Sequence, residues 1–176
     1  DRYFSEVEER LLEEADYELE LKRSIEMTTC CKHIPNVCFP SYYPEYSSKR
    51  IITMDWMEGL HLKEFLQTNP SQEIRNQIGQ ALWDFYNYQI HELRAVHADP
   101  HPGNFLFTDD GKLCIIDFGC IKVIPTHFYD NYFALINPDT LHNEPRMMEI
   151  FCELEFILQE DSPELQQFFF SIFKQM

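Results

Sequence analysis

The chain has 176 residues, 44% of them hydrophobic and 15% aromatic, enough apolar material for a packed domain rather than a disordered segment. Its formal net charge of −16 argues against nucleic acid, whose phosphates it would repel, and supplies no basic patch for anionic lipid. No 18-residue apolar run is present to span a bilayer, and with a charged segment at residue 1 no signal peptide is expected within these residues.

Residues 2–28 carry Phe4, Val7, Leu11, Ala15 and Leu19 at helical spacing. Ten Asp/Glu against four Lys/Arg fall in residues 1–28, which reads as a solvated helix face before an acidic docking surface. Prolines 35, 40 and 44 exclude a long helix over 34–47. Val37–Phe39 with Tyr42–Tyr43 is expected as one strand and Arg50–Met54 as a second, closed by Glu58-Gly59. Leu62–Leu66 predicts a short helix. Asn69 as N-cap, Pro70 at the first position and Gln72 at N3 then open a long one. Its apolar stripe runs Ile74, Ile78, Leu82, Phe85, Leu93 and Val96, with Gln89 as a break.

That helix delivers the chain to His97-Ala-Asp99-Pro-His101-Pro-Gly103-Asn104. Phe105–Thr108 and Lys112–Ile116 around Asp109-Asp110-Gly111 predict a hairpin, which brings Asn104 at its start and Asp117 at its end to one place. Asn104 lies five residues after Asp99, and Asp117 eighteen after it. That is the spacing of a kinase catalytic loop and its D-F-G partner, here Asp117-Phe118-Gly119. A transferring phosphoryl group needs positioning and charge neutralisation rather than covalent help. Asp99 would orient an acceptor or a water. Asn104 and Asp117 offer the hard oxygen ligands that Mg²⁺ prefers. The rival metal reading is a zinc or manganese site at His97, Asp99 and His101, which leaves Asn104 and the D-F-G unexplained. His97 reads as a scaffold residue. His101 is open between phosphate or metal contact and bracing of the Pro-rich loop. No A-P-E follows the D-F-G, and Ala98 stands where regulated protein kinases carry the Arg that pairs with an activation-loop phosphate. Residues 126–136, 144–159 and 163–175 predict three further helices, with Phe168–Phe170 and Phe173 assigned to a core rather than a partner surface.

HADPHPGN with IIDFG resembles two groups, small-molecule phosphotransferases of the aminoglycoside/choline type and UbiB-type (aarF-domain) atypical kinase-like proteins. Glu14-Ala-Asp16-Tyr17-Glu18-Leu19-Glu20 looks like the E-x-D-Y-x-x-E signature of the UbiB type on its αC-equivalent helix. Arg50–Gly59 looks like the strand and hinge over adenine. The order and separation of the three parts match that family from about Glu6 to Ile124.

The resemblance implies an α+β, protein-kinase-like fold. It would comprise an αC-like helix and partial small-lobe sheet over residues 1–58, then the helical large lobe over 59–176. It implies ATP and Mg²⁺ as cofactors and Asp99, Asn104 and Asp117 as the catalytic set, the last two on the metal. It places Glu20, Glu14, Asp16, Met54, Asp55 and Met57 around the nucleotide. Met54 would be the gatekeeper, and Asp55 and Met57 would meet adenine through main-chain groups. Glu14 and Asp16 are two apart on a helix and diverge by about 200°, so a solvated face is the plainer reading of that pair. The implied role is phosphoryl transfer or ATP hydrolysis linked to quinone and lipid metabolism, with an unknown small-molecule or lipid acceptor. The non-enzymatic alternative is a nucleotide-binding pseudokinase scaffold.

The family's K-x-G-Q motif, alanine-rich phosphate loop and strand lysine are absent from these 176 residues. The chain is therefore expected to be the C-terminal part of a longer protein or a truncated product, inactive alone. Any attachment to a membrane-associated complex would lie outside it. Six cysteines without CxxC spacing read as buried free thiols in a reducing compartment, which places the chain in the cytoplasm or peripherally at a membrane.

Overall fold

The computed structural model describes Phe4, residues 16–158 and residues 160–175. It divides into two compact units, residues up to 123 and residues from 124 on.

In the first unit, helix α1 (Tyr17–Cys31) starts at Asp16, whose side chain accepts from the Leu19 N–H at 3.2 Å. Ser24, Met27 and Cys31 recur at spacings of three and four and form its buried face. Strand β1 (Val37–Cys38) follows. Segments 41–43 and 53–55 then lie antiparallel, with Tyr43 N–H on the Thr53 carbonyl and Asp55 N–H on the Ser41 carbonyl, both at 2.9 Å. Helix α2 (Leu62–Gln67) precedes α3 (Gln72–Tyr88). Ser71, not Asn69, caps α3 by accepting from the Ile74 N–H; Asn69 instead takes a left-handed turn at φ 51°. The last turn of α3 widens into a π-helix over Gln89–Leu93, ended by Arg94 at φ 54°.

Strand β2 (Ala95–His97) pairs antiparallel with β5 (Ile121–Val123). Strands β3 (Phe105–Phe107) and β4 (Leu113–Ile115) form the expected hairpin. Its turn contains Gly111 at φ +83°, a conformation costly for any residue with a Cβ. Strand β1 pairs parallel with β4, giving the order β1-β4-β3. This splits the expected first strand at Pro40: Val37–Cys38 joins β4 rather than Arg50–Met54, while the Tyr42–Tyr43 part does meet that second segment, through bridges only. Cys38 and Cys114 are register partners across β1 and β4, and their sulfurs are joined as a disulfide. The expectation of free thiols therefore fails for these two; Cys30, Cys31, Cys120 and Cys152 are free. The core gathers Cys31, Phe85, Leu113, Ile115 and Phe118, all fully buried, with Phe39 tilted against both Phe85 and Phe118.

The second unit holds α4 (Thr126–Ala134), a short α5 (Pro138–Leu141), α6 (Glu144–Glu153) and α7 (Pro163–Lys174). Helix α6 stops before the expected 159, and Glu155 lies just beyond it at φ 56°. Phe151 is fully buried within 5.2–5.8 Å of the rings of Phe169, Phe170 and Phe173. Phe168 points outward, 57% exposed, so the four phenylalanines do not share one fate. Among the described residues no helix is long and apolar enough to cross a membrane.

Candidate functional site

The hairpin sets the geometry. The Ile116 N–H donates to the Asn104 carbonyl at 3.1 Å, which locks the residue before β3 beside the residue before Asp117. Asn104 closes a 3₁₀ turn over Pro102–Asn104. Its side-chain amide donates to Asp99 Oδ2 at 2.9 Å and to the Asp99 carbonyl at 3.1 Å. The donor half of Asn104 is thus spent on Asp99, leaving its amide oxygen as the half suited to a cation. The Ala98 N–H donates to the Cys120 carbonyl at 2.9 Å and ties the Asp99 loop to the segment following Asp117.

His101 accepts from the Gly103 N–H at 3.1 Å, so it braces the proline loop. His97 is 1% exposed, set edge-on to Phe105 and Phe118, with its Nδ1 3.3 Å from the Tyr86 hydroxyl. Burial pushes its pKa below the usual histidine value, against the nearby charges of Asp117 and Asp99. It is a scaffold residue. The H-x-D-x-H metal reading does not hold: among the described residues no three His, Cys, Asp or Glu side chains gather as a metal site.

Beneath His97 lies a residue that the sequence pattern passed over. Gln89, the break in the α3 stripe, is fully buried. Its Oε1 accepts from the His97 N–H at 2.7 Å, and its Nε2 donates to the Phe85 carbonyl at 3.0 Å. A polar residue inside an apolar stripe was the signal; its partner eight residues on was not readable locally.

Two hollows meet beside the hairpin. The first, about 400 Å³, is lined by Tyr17, Glu20, Tyr42, Ile52, Met54, Asp99, Ile116, Asp117, Gly119 and Cys120. Glu20 reaches it from α1. Burial, then the charge of Asp117, raises the Glu20 pKa above the usual carboxylate value. Asp117 Oδ1 accepts from the Gly119 N–H at 2.7 Å. Tyr42, unmarked by any motif, lines the same hollow, its hydroxyl pKa pushed up to about 12, chiefly by burial. The second hollow, about 210 Å³, is mostly apolar, lined by Met54, Asp55, Trp56, Met57, Gly59, His61, Leu106 and Ile116. Gly59 lets the chain pass close to β3: a Cβ there would stand 2.9 Å from that of Leu106. The pass is held by reciprocal main-chain bonds between Leu60 and Phe107 at 2.8 and 2.9 Å. Met54 and Ile116 line both hollows, so the carboxylate end and the apolar end adjoin.

Of the sequence-predicted residues, the structure gathers Glu20, Met54, Asp99 and Asp117 on one hollow, Met54, Asp55 and Met57 on the other, and Asn104 against Asp99. The Asp55 carboxylate is taken by the Tyr43 hydroxyl at 2.6 Å and the Ser41 N–H at 3.0 Å, and its own N–H by the Ser41 carbonyl. Its main-chain donor is therefore not turned to a ligand. Asp16 caps α1 and is exposed rather than lining either hollow. Glu14 lies outside the described residues.

A model of the ABC1 atypical kinase-like domain matches residues 1–151. The chain is 31% identical over 163 residues to ACTIVITY OF BC1 COMPLEX KINASE 3, a chloroplastic protein of Arabidopsis thaliana, covering 89% of this chain and 21% of that one. It is 26% identical over 145 residues to the mitochondrial atypical kinase COQ8B of Danio rerio, covering 82% of this chain and 23% of that one. The chain thus spans about a fifth of the length of these relatives. Among solved structures, that of Rv3197 with erythromycin from Mycobacterium tuberculosis superposes with a TM-score of 0.68 at 26% identity, over 90% of this chain and 40% of that one. Of the two groups that the loop motifs resemble, these matches select the UbiB type.

Proposed function

We propose, from the premise that this chain belongs to the ABC1 atypical kinase-like family, that it carries the base-and-metal half of an ATP-dependent phosphoryl-transfer or ATP-hydrolysis site. The observation that carries the reading is the adjoining pair of hollows, one apolar and one carboxylate-lined, which suits a nucleotide lying with its base over Leu106 and Ile116 and its phosphates toward Asp117. Asp117 and the Asn104 amide oxygen form an oxygen-only donor pair, which fits Mg²⁺. When bound, that ion neutralises phosphate charge. Asp99, steadied by the Asn104 amide, orients the acceptor hydroxyl or water and takes its proton. The resemblance directs the acceptor toward small molecules or lipids of quinone and lipid metabolism. Within these residues no phosphate-covering loop or strand lysine is present, so the chain by itself is expected to bind nucleotide rather than turn it over.

The test is titration of the chain with a fluorescent ATP analogue, with Mg²⁺ and with EDTA. Wild type should bind tighter with Mg²⁺. Asp117→Asn should lose that metal dependence, Leu106→Trp should weaken binding at least tenfold, and Asp99→Asn should leave affinity within about threefold, its ~10²-fold loss of turnover being expected only in the longer protein. Binding indifferent to both Mg²⁺ and Leu106→Trp would overturn the assignment.

A further inference from the structure

Helix α1 sets two side chains, one turn apart, against the segment that follows Asp117. Gly119 is where they converge. Its N–H donates to Asp117 Oδ1 at 2.7 Å. Its carbonyl accepts from Arg23 Nη1 at 3.3 Å, a part-buried bond between residues 96 apart in sequence. A Cβ built on Gly119 would stand 3.3 Å from Asp117 Oδ1, 3.7 Å from Glu20 Cδ and 3.8 Å from Glu20 Oε2. Two carboxylates therefore flank one glycine. Their like charges repel across a partly desolvated gap, which favours α1 swinging away from the hairpin. Arg23 opposes that swing. A bond from a guanidinium to a carbonyl is charge-assisted.

We propose that Arg23 is a positioning residue of this site: by holding the Gly119 carbonyl it keeps Glu20 and Asp117 together on the edge of the slot where a divalent cation would sit. This rests on the nucleotide–metal reading given above. It assigns Arg23 a load that a bond between neutral surfaces would not bear, because what it restrains is the mutual repulsion of the carboxylates. The bond and the repulsion should therefore be coupled.

The test is a double-substitution cycle on the whole chain, read by amide hydrogen exchange of peptides spanning 117–123 and by Mg²⁺-dependent binding of the fluorescent ATP analogue. Arg23→Met keeps the stem and removes the donor; it should speed exchange in 117–123 by about tenfold and weaken Mg²⁺-nucleotide binding at least fivefold. Arg23→Lys retains a donor and should recover most of the loss. Adding Glu20→Gln to Arg23→Met should return exchange to within threefold of wild type. An exchange change under twofold in Arg23→Met, or an equally large change with Glu20 already replaced, overturns the proposal. If wild type binds no nucleotide while the exchange cycle shows the coupling, the nucleotide reading fails and the tether stands.

Discussion

Gln89→Glu tests whether the support under the Asp99 loop is dry. The substitution keeps shape and volume. Protonated, the new carboxyl reproduces both native bonds, its O–H donating to the Phe85 carbonyl and its carbonyl accepting from the His97 N–H, where the glutamine holds them at 3.0 and 2.7 Å. Ionised, it sets a carboxylate oxygen against the Phe85 carbonyl oxygen at a position with no exposed surface. The folded chain should therefore hold the proton well above the unfolded value of about 4.3, as buried glutamates do. The sign follows: a raised folded pKa leaves stability intact below about pH 4.3 and removes it as pH rises, by ~1.36 kcal/mol per pH unit, until the folded pKa is reached. With a folded pKa well above 7, the loss relative to wild type is ~1.6 kcal/mol at pH 5.5 and ~3.7 kcal/mol at pH 7. Urea unfolding of both proteins at the two pH values measures the difference of about 2 kcal/mol. A loss that does not change with pH would refute the claim that Gln89 bridges Phe85 and His97 in a site closed to water.

Glu20→Gln removes a half-buried charge facing Asp117, and should stabilise the chain by about 0.5–1 kcal/mol at pH 8 after allowance for solvent screening. Because the native pKa is raised, the gain should be complete above it and vanish below the ordinary value of 4.5; thermal melts at pH 8 and about pH 3.5 decide, and a gain that persists undiminished at the lower pH contradicts the cause. Gly111→Ala puts a Cβ at φ +83° and within 2.8 Å of Gln77 side-chain atoms that bond the turn, and should cost about 1–2 kcal/mol in urea unfolding. Cys38→Ala opens the cross-link to Cys114, which joins positions 76 apart, and should cost about 2–4 kcal/mol without reductant and much less with it. Equal losses under both conditions would mean that the sulfurs are not bonded in solution.

Local sequence carried the parts whose cause is local. The turn residues Asp109-Asp110-Gly111 between two apolar runs specify a hairpin, and a hairpin cannot form without bringing Asn104 and Asp117 together. The periodicity of residues 72–88 specifies α3, and the spacing of Asp99, Asn104 and Asp117 carries the kinase-like resemblance because three distances agree at once. Partner choice was not local. β-pairing is settled by which edge is reachable, so β1 joined β4 once Pro40 had ended it, and Cys38 met Cys114 as a result. Asn69 was the expected cap, yet it takes the left-handed turn that asparagine tolerates, and Ser71 caps the helix instead. Gln89 read as a defect in an apolar stripe, because periodicity reports which face a residue occupies and not what waits there. The convergence of Arg23, Glu20 and Asp117 on Gly119 was equally invisible, since contacts across 96 residues depend on how α1 seats against the hairpin. The chain's own order of residues thus determined the loop, the hairpin and the family they resemble; tertiary packing decided which side chains brace them, because burial and like-charge contact exist only once distant segments meet.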